Sequence, residues 1–157
     1  MILSEQNFQL CTPDKFPSIS EFLWKIYQEE IAPHNREIGH ANFQKFIHPT
    51  QFTSRYEQGS VVWELFRENQ RAAICECKNQ HVFLLFVGKD HRHQGIAKEL
   101  LTHVKREVIK KGFLPYLTLN AAPNSLSFYQ KMGFKSLGPE EDKNGIRSTP
   151  MKWSWKQ

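Results

Sequence analysis

The chain is best narrowed first by what it lacks. Its 157 residues include only three cysteines, Cys11, Cys75 and Cys77. An odd count without regular spacing excludes a disulfide scaffold. Cys75 and Cys77 fall on one face of an expected strand, which puts their Cα atoms about 6.5–7 Å apart, at or beyond the limit for a disulfide. Reduced thiols in a cytoplasm follow. No apolar run approaches the length of a membrane span. The opening "MILSEQNFQL" has no charged segment followed by an apolar one, so no secretory leader is expected. HExxH and CxxC are missing, and the seven histidines show no ligand spacing beyond His91 and His93, so no metal is expected. Neither the Walker GxxxxGK[ST] nor GxGxxG occurs, which argues against nucleoside triphosphate and dinucleotide folds. Internal repeats and low-complexity segments are also missing.

What is present is an apolar fraction of 39% and an aromatic fraction of 13%, with 12 phenylalanines. That is enough to bury one core in one domain spanning residues 1–157. The net charge is +5 and the pI about 9.2. This balance favours anionic partners. The charge is scattered, however, and no basic cluster has aromatics interleaved with it. Nucleic acid is therefore not the expected partner, and a membrane is not either.

Hydrophobic spacing sets the elements. "NFQL" reads as a short strand. "SISEFLWKIYQEEIAP" repeats apolar residues at helical spacing from Ile19 to Tyr27, with Ser18 as N-cap and Pro33 as terminator. "NFQKFI" and "QFTSRYEQG" read as short helices broken at His48-Pro49. "SVVWELFR" and "RAAICECK" are strands joined through "ENQ", and "KNQ" turns into "HVFLLFV". That last run, residues 81–87, is apolar after His81, which predicts a central strand buried on both faces. Residues 95–111 form a strongly amphipathic helix closed by Gly112. "LPYLTLN" is the next strand, and the strand–helix–strand order predicts a parallel pair. "PNSLSFYQKM" is a short helix, and "FKSLG" and "TPMKWSWK" are the last strands. "PEEDKNGIR" between them reads as a polar loop.

The chemistry centres on "HRHQGIAKELL". A buried strand ends at Val87, a polar loop follows, and a helix begins at Gly95. A helix start leaves N–H groups without partners, and its dipole favours anions. Gly95 admits a close ligand, Ala97 does not obstruct it, and Arg92, His93 and Lys98 surround it with donors. These residues alone allow two readings, an anion site or a plain basic loop ahead of a helix.

"VGKDHRHQGIAKELL" resembles the acyl-CoA-binding motif of the GCN5-related N-acetyltransferases, the GNAT superfamily. The pattern Q/R-x-x-G-x-G/A is met by Arg92, Gly95 and Ala97. "LTLNAAPNSLSFYQKMGF" resembles the C-terminal block of the same superfamily through Asn120, Ala121, Pro123, Phe128, Tyr129, Lys131, Gly133 and Phe134. The two segments stand in the expected order, and the likeness covers residues 60–137, most closely to the small bacterial acetyltransferases.

The resemblance implies an α/β (α+β) GNAT fold. Its central sheet would be mixed, mostly antiparallel, of six to seven strands with a parallel pair at the fourth and fifth, flanked by about four helices. It implies acetyl-CoA as co-substrate, bound by Leu85, Phe86 and Val87 at the pantetheine arm. Arg92, His93, Gln94, Gly95, Ile96, Ala97 and Lys98 would hold the pyrophosphate, Asn120 on the next strand would contact the arm, and Tyr129 would lie near the sulfur. Tyr129 would be the general acid, since a phenol with a pKa of about 10 is protonated at neutral pH. A backbone N–H near Val87 would face the oxyanion. The central strand carries no acid, so Glu64, Glu76 and His81 are the candidate bases beside a solvent-mediated route. The acceptor, an amine of a small molecule or a protein, would be walled by Phe22, Tyr27, Phe46 and Trp63. The missing strand carboxylate also admits a non-catalytic acyl-CoA-binding or partner-binding module, and the basic pI admits an RNA-directed acetyltransferase. A monomer or a homodimer fits either way.

Overall fold

The computed structural model describes residues 8–155. A short strand, β1 (Phe8–Leu10), leads into helix α1 (Phe16–Ile26). The helix starts two residues before the expected cap: Lys15 is the N-cap and Pro17 occupies the first turn, where its missing N–H costs nothing. Ser18 is thus inside the helix, and its hydroxyl donates back to the Lys15 carbonyl at 3.0 Å. The helix widens into a π turn at Tyr27–Ile31 before a last tight turn at Ala32–His34 holding Pro33. Helices α2 (Glu37–Phe46) and α3 (Pro49–Glu57) follow and break at His48-Pro49, as the spacing predicts.

Strands β2 (Val61–Arg67), β3 (Gln70–Lys78) and β4 (His81–Val87) form an antiparallel meander. Its two-residue turns use Glu68 and Asn69 at φ 51° and 64°, and Asn79 at φ 53°. The positive values match the twist of the flanking strands. Helix α4 (Ile96–Lys110) crosses over to β5 (Tyr116–Ala121), which is parallel to β4. Helix α5 (Leu126–Lys131), β6 (Lys135–Ser136), β7 (Glu141–Lys143) and β8 (Ile146–Ser154) complete the chain. The sheet order is β1-β2-β3-β4-β5-β8-β6, with β7 paired to β8. Eight strands and five α-helices therefore stand where six to seven strands and about four helices were expected.

The difference is β7. The polar loop expected at residues 139–147 is a hairpin instead, turning at Asn144 (φ 53°) and Gly145 (φ 90°). Asn-Gly is the residue pair such a turn favours. Asn7 of the expected first strand and Lys156 of the last lie outside the described residues.

Two cores flank the sheet. On one face α4 buries Leu100, Leu101 and Val104 completely against Cys75, Leu117, Leu119 and Met151. Each such side chain contributes about 1.5–3 kcal/mol by leaving water. On the other face α1, α2 and α3 bring Phe16, Tyr27, Phe43 and Phe52 onto Ile74, Leu84 and Phe86. All three cysteines are buried and free. No helix among the described residues is long and apolar enough to cross a membrane.

Strand β4 corrects one expectation. Val82, Leu84 and Phe86 are buried, but Phe83, Leu85 and Val87 are only half-buried. A register shift between Glu76 and Cys77 leaves Phe83 without a partner on β3, so Phe83 and Leu84 both turn toward the aromatic core. The apolar run is long because the strand lines a cleft as well as a core.

Candidate active site

The cleft begins where β4 and β5 part. They pair only at His81↔Thr118 and Val82↔Leu119. Beyond Val82 the β5-facing edge of β4 has no strand partner, so its N–H and C=O groups are open to a ligand.

That loop is shaped by two residues in the left-handed region, His93 at φ 64° and Gly95 at φ 75°. A Cβ on Gly95 would meet nothing within 4 Å. Glycine is required here by its backbone conformation and not by crowding. The first helical bond runs from the Glu99 N–H to the Gly95 carbonyl at 3.0 Å. The N–H groups ahead of it, on Ile96, Ala97 and Lys98, are those a helix start leaves for an anion. They edge a hollow of about 290 Å3 formed with Val87, Arg92 and His93. The sequence-predicted pyrophosphate residues thus come together, except that Gln94 turns aside, its amide 3.4 Å from the Asp90 carbonyl. Arg92 is partly committed as well. It pairs with Glu30 of the π turn at 2.9 Å and reaches toward the Val87 carbonyl.

A channel of about 210 Å3 continues inward past Leu85, Phe86, Val87 and Ala97 to Tyr129. Tyr129 is 7% exposed and meets Phe128 and Phe134 edge-on. Burial pushes its phenol pKa above the ordinary value. The hydroxyl therefore keeps its proton at neutral pH.

Beyond the channel lies a cavity of about 500 Å3. Tyr27, Phe43, Phe46, Phe83, Leu84 and Phe86 form its apolar walls, and Asn120 and Ala122 stand at the β5 side. The far side is the β7–β8 hairpin, through Lys143, Asn144, Ile146, Arg147 and Ser148. The hairpin is held against α2. Arg36 makes two hydrogen bonds to Asp142, at 2.8 and 3.0 Å, and the Arg36 N–H donates to the Gly145 carbonyl. A Cβ on Gly39 would lie 2.2 Å from the Gly145 oxygen, so the two segments touch backbone to backbone. Tyr27 is tied into this frame: its hydroxyl receives the Asn35 amide at 3.1 Å and lies 3.0 Å from His40 Nδ1.

Several expected residues fall elsewhere. Trp63 lies on the opposite face of the sheet, in a crevice with Val104 and Val108, and cannot wall the acceptor. Its place in β2 gives it the same parity as Leu65, which faces α4. Phe22 does not line the cavity. It packs beside Gly88 and beneath the Arg71 guanidinium. Glu76 is fully buried and accepts two hydrogen bonds from Arg55, at 2.8 and 2.9 Å, and one from Ser60 at 2.7 Å. Glu64 is fully buried too, with Arg71 at 2.7 Å and Lys15 at 3.7 Å. Burial, helped by Glu64, pushes the Cys11 thiol up to about 12. Neither carboxylate reaches the cleft, so both lose their standing as bases to structural ion pairs. His81 sits at the foot of β4 with Nδ1 2.7 Å from the Thr118 hydroxyl, and burial lowers its pKa, keeping it neutral. It contacts the cavity only through Phe83, whose ring it meets edge-on.

The hairpin wall, with Lys143 and Arg147, was missed in the sequence. The Asn144-Gly145 pair was the signal that could have found it. No group of three or more metal-ligating side chains occurs among the described residues.

Comparison with known proteins converges on one family. The family model for the acetyltransferase (GNAT) domain matches residues 23–155. No curated protein matches the chain by sequence. Among solved structures, a GCN5-related N-acetyltransferase from Rhodopseudomonas palustris superposes with a TM-score of 0.78 at 15% identity, covering 94% of each chain. The paia N-acetyltransferase from Thermoplasma acidophilum, solved with coenzyme A, gives 0.75 at 18%, covering 94% of this chain and 98% of that one. A GNAT-family acetyltransferase from Staphylococcus aureus Mu50 gives 0.74 at 17%, covering 96% and 99%.

Proposed function

The chain belongs to the GNAT acetyltransferase domain family and is an acyltransferase; from that premise we propose that it transfers the acetyl group of acetyl-CoA directly to a primary amine, with Tyr129 as general acid. The observation that carries this reading is continuity. The helix-start hollow, the free edge of β4, the protonated Tyr129 and the aromatic cavity form one path. The neighbour solved with coenzyme A supports use of an acyl-CoA.

The residues take the following parts. Main-chain N–H groups from Ile96 to Lys98 hold the pyrophosphate, while Arg92, locked to Glu30, fixes the loop's shape. Leu85 to Val87 offer backbone partners to the pantetheine arm. The neutral amine attacks the thioester carbonyl carbon from the cavity side. A backbone N–H near Val87 faces the developing oxyanion. As the carbon–sulfur bond breaks, the sulfur takes the Tyr129 proton. The amine's surplus proton leaves to solvent, which also reprotonates Tyr129. With Glu64 and Glu76 sealed, the solvent route is preferred over a carboxylate base.

Acetyl-CoA at millimolar concentration should raise the melting temperature by mass action. An unchanged melting temperature with acetyl-CoA and with longer acyl-CoAs would refute the donor site. Tyr129→Phe should lower kcat roughly 100-fold, the scale of general acid catalysis, with the acetyl-CoA affinity kept. Because burial raises the phenol pKa above 10, the wild-type enzyme should show no alkaline loss of kcat from this group below pH 10.

A further inference from the structure

The cavity beside Tyr129 also restricts the acceptor, if the acetyl-transfer reading above holds. We propose that the acceptor is a small primary amine on an aromatic or large apolar body that also carries an anionic group such as a carboxylate.

Three features of the wall point the same way. A volume of about 500 Å3 suits a small molecule. No aspartate or glutamate is among its lining residues, whereas Lys143 and Arg147 both line it. The rings are stacked in a row. Trp24 lies on Tyr27 at 5.4 Å, Tyr27 on Phe43 at 4.2 Å and Phe43 on Phe86 at 5.7 Å, with interplanar angles of 9°, 10° and 19°. Tyr27 and Phe43 thus each stack against two other rings. The Arg55 guanidinium sits 3.8 Å from the Phe46 centroid, covering one face of that ring.

The stacking bears on the ligand class. An aromatic face attracts cations and an aromatic edge repels them. Stacking leaves Tyr27 and Phe43 less free face to offer a cation, and their edges favour the face of another aromatic ring. A polyamine or an aminoglycoside would bring several positive charges to a wall whose lining holds no carboxylate and two cations. An amine with an anion meets the opposite situation. Lys143 and Arg147 belong to the exposed hairpin, where Glu141 lies 3.3 Å from Lys143 and Glu140 lies 3.8 Å from Arg147. The second pair is beyond hydrogen-bond distance, so the Arg147 fork can still take a carboxylate in two bonds. The register of Arg147 is fixed by its own N–H, which donates to Asn35 Oδ1 at 2.8 Å, and Asn35 in turn holds Tyr27. The Arg147 backbone and the Tyr27 ring are thus held by one shared residue.

The test measures CoA release at saturating acetyl-CoA with four amines: phenylalanine, 4-(aminomethyl)benzoate, phenylethylamine and spermidine. At least one of the two carboxylated aromatics should exceed phenylethylamine and spermidine in kcat/KM by about tenfold or more, a single charge-assisted contact. Which of the two is faster reports how far the anion lies from the amine. Arg147→Gln should raise KM for the better carboxylate at least tenfold more than KM for phenylethylamine, with kcat for the carboxylate within about twofold. Preference for spermidine or phenylethylamine, equal response of all four to Arg147→Gln, or faster acetylation of a phenylalanine-led tripeptide than of phenylalanine would each overturn the proposal. So would silence with all four amines. A melting-temperature rise with acetyl-CoA in that last case leaves the donor site standing, whereas no rise removes both readings.

Discussion

The two faces of the sheet differ in how their rings are used. Against α4 the core is mostly aliphatic, with Leu100, Leu101, Val104, Leu117, Leu119 and Met151, and its buried rings are Trp63, Tyr129 and Phe134. Against α1, α2 and α3 the share of rings is larger, with Phe16, Tyr27, Phe43, Phe52 and Phe86 among Ile19, Leu23 and Leu84. The aromatic face also holds two fully buried carboxylates, Glu64 and Glu76, each answered by an arginine. The α4 side anchors the helix whose start is proposed to hold the donor. The opposite side, the proposed acceptor side, holds rings, cations and a hairpin together through polar clamps. Glu76 illustrates it: through Arg55 it reaches the Phe46 carbonyl and the Phe46 ring, a wall of the cavity.

Removing such a clamp should give the largest effect. Glu76→Ala leaves the Arg55 guanidinium facing a buried gap, and breaking one partner of a buried pair costs about 3–5 kcal/mol. The variant should melt far below the wild type. Its folded fraction, assayed in the cold, should retain kcat within about threefold, since the carboxylate supplies no proton transfer. A stable variant with kcat lowered a hundredfold would restore Glu76 as the base and erase the distinction between clamp and catalyst.

The next effect separates the donor face from mere stability. Gly95 and Gly112 bracket α4, at φ 75° and 86°, and a Cβ at either meets nothing within 4 Å. Valine at either position forces a β-branched residue into the left-handed region, at a cost of about 1–2 kcal/mol or more. Gly95→Val should also weaken CoA binding by about tenfold or more, because the side chain stands where the phosphate must approach. Gly112→Val should lose comparable stability and keep its CoA affinity. Isothermal titration of both separates the cases, and equal losses of affinity would mean that the hollow is not the cradle.

The same asymmetry explains what the sequence disclosed. The proposed donor site is one continuous segment, Val87 to Leu101, whose strand end, left-handed glycine and helix start are local, so its signature is local. Tyr129 was legible for a similar reason, within a block running from Asn120 to Phe134. The proposed acceptor site is assembled from Tyr27, Phe43, Phe46, Phe83 and Arg147, which share no spacing. Trp63 stood among the acceptor candidates as an aromatic, and the face of β2 it belongs to depends on where α4 packs. Glu64 and Glu76 looked like free acids on strands because their arginines lie 7 and 21 residues away. The hairpin at Asn144-Gly145 was available in principle, but its strand β7 is the polar tripeptide Glu141–Lys143, without an alternating apolar pattern.

The smallest expected effect concerns that hairpin. Asp142 accepts both Arg36 hydrogen bonds and the Gly145 N–H at 2.9 Å. These bonds, that of Arg36 first, lower its carboxyl from 3.8 to about 2. A pKa depressed on folding means that the carboxylate favours the docked hairpin above the ordinary value and that this contribution fades as pH falls from 3.8 through about 2. The group is fully exposed to solvent, so its effect on global stability is slight. Docking is a local matter, and Arg147 and Lys143 ride on the docked segment. Asp142→Asn should therefore leave the melting temperature within about 2 °C, as exposed surface substitutions usually do, and leave CoA affinity unchanged, while raising KM for the acceptor a few-fold. A rise in KM confined to the acceptor would tie the hairpin to the aromatic face alone. A matching loss of CoA affinity would show that the hairpin braces the donor face as well, through Asn35, Tyr27 and the π turn that carries Glu30 to Arg92.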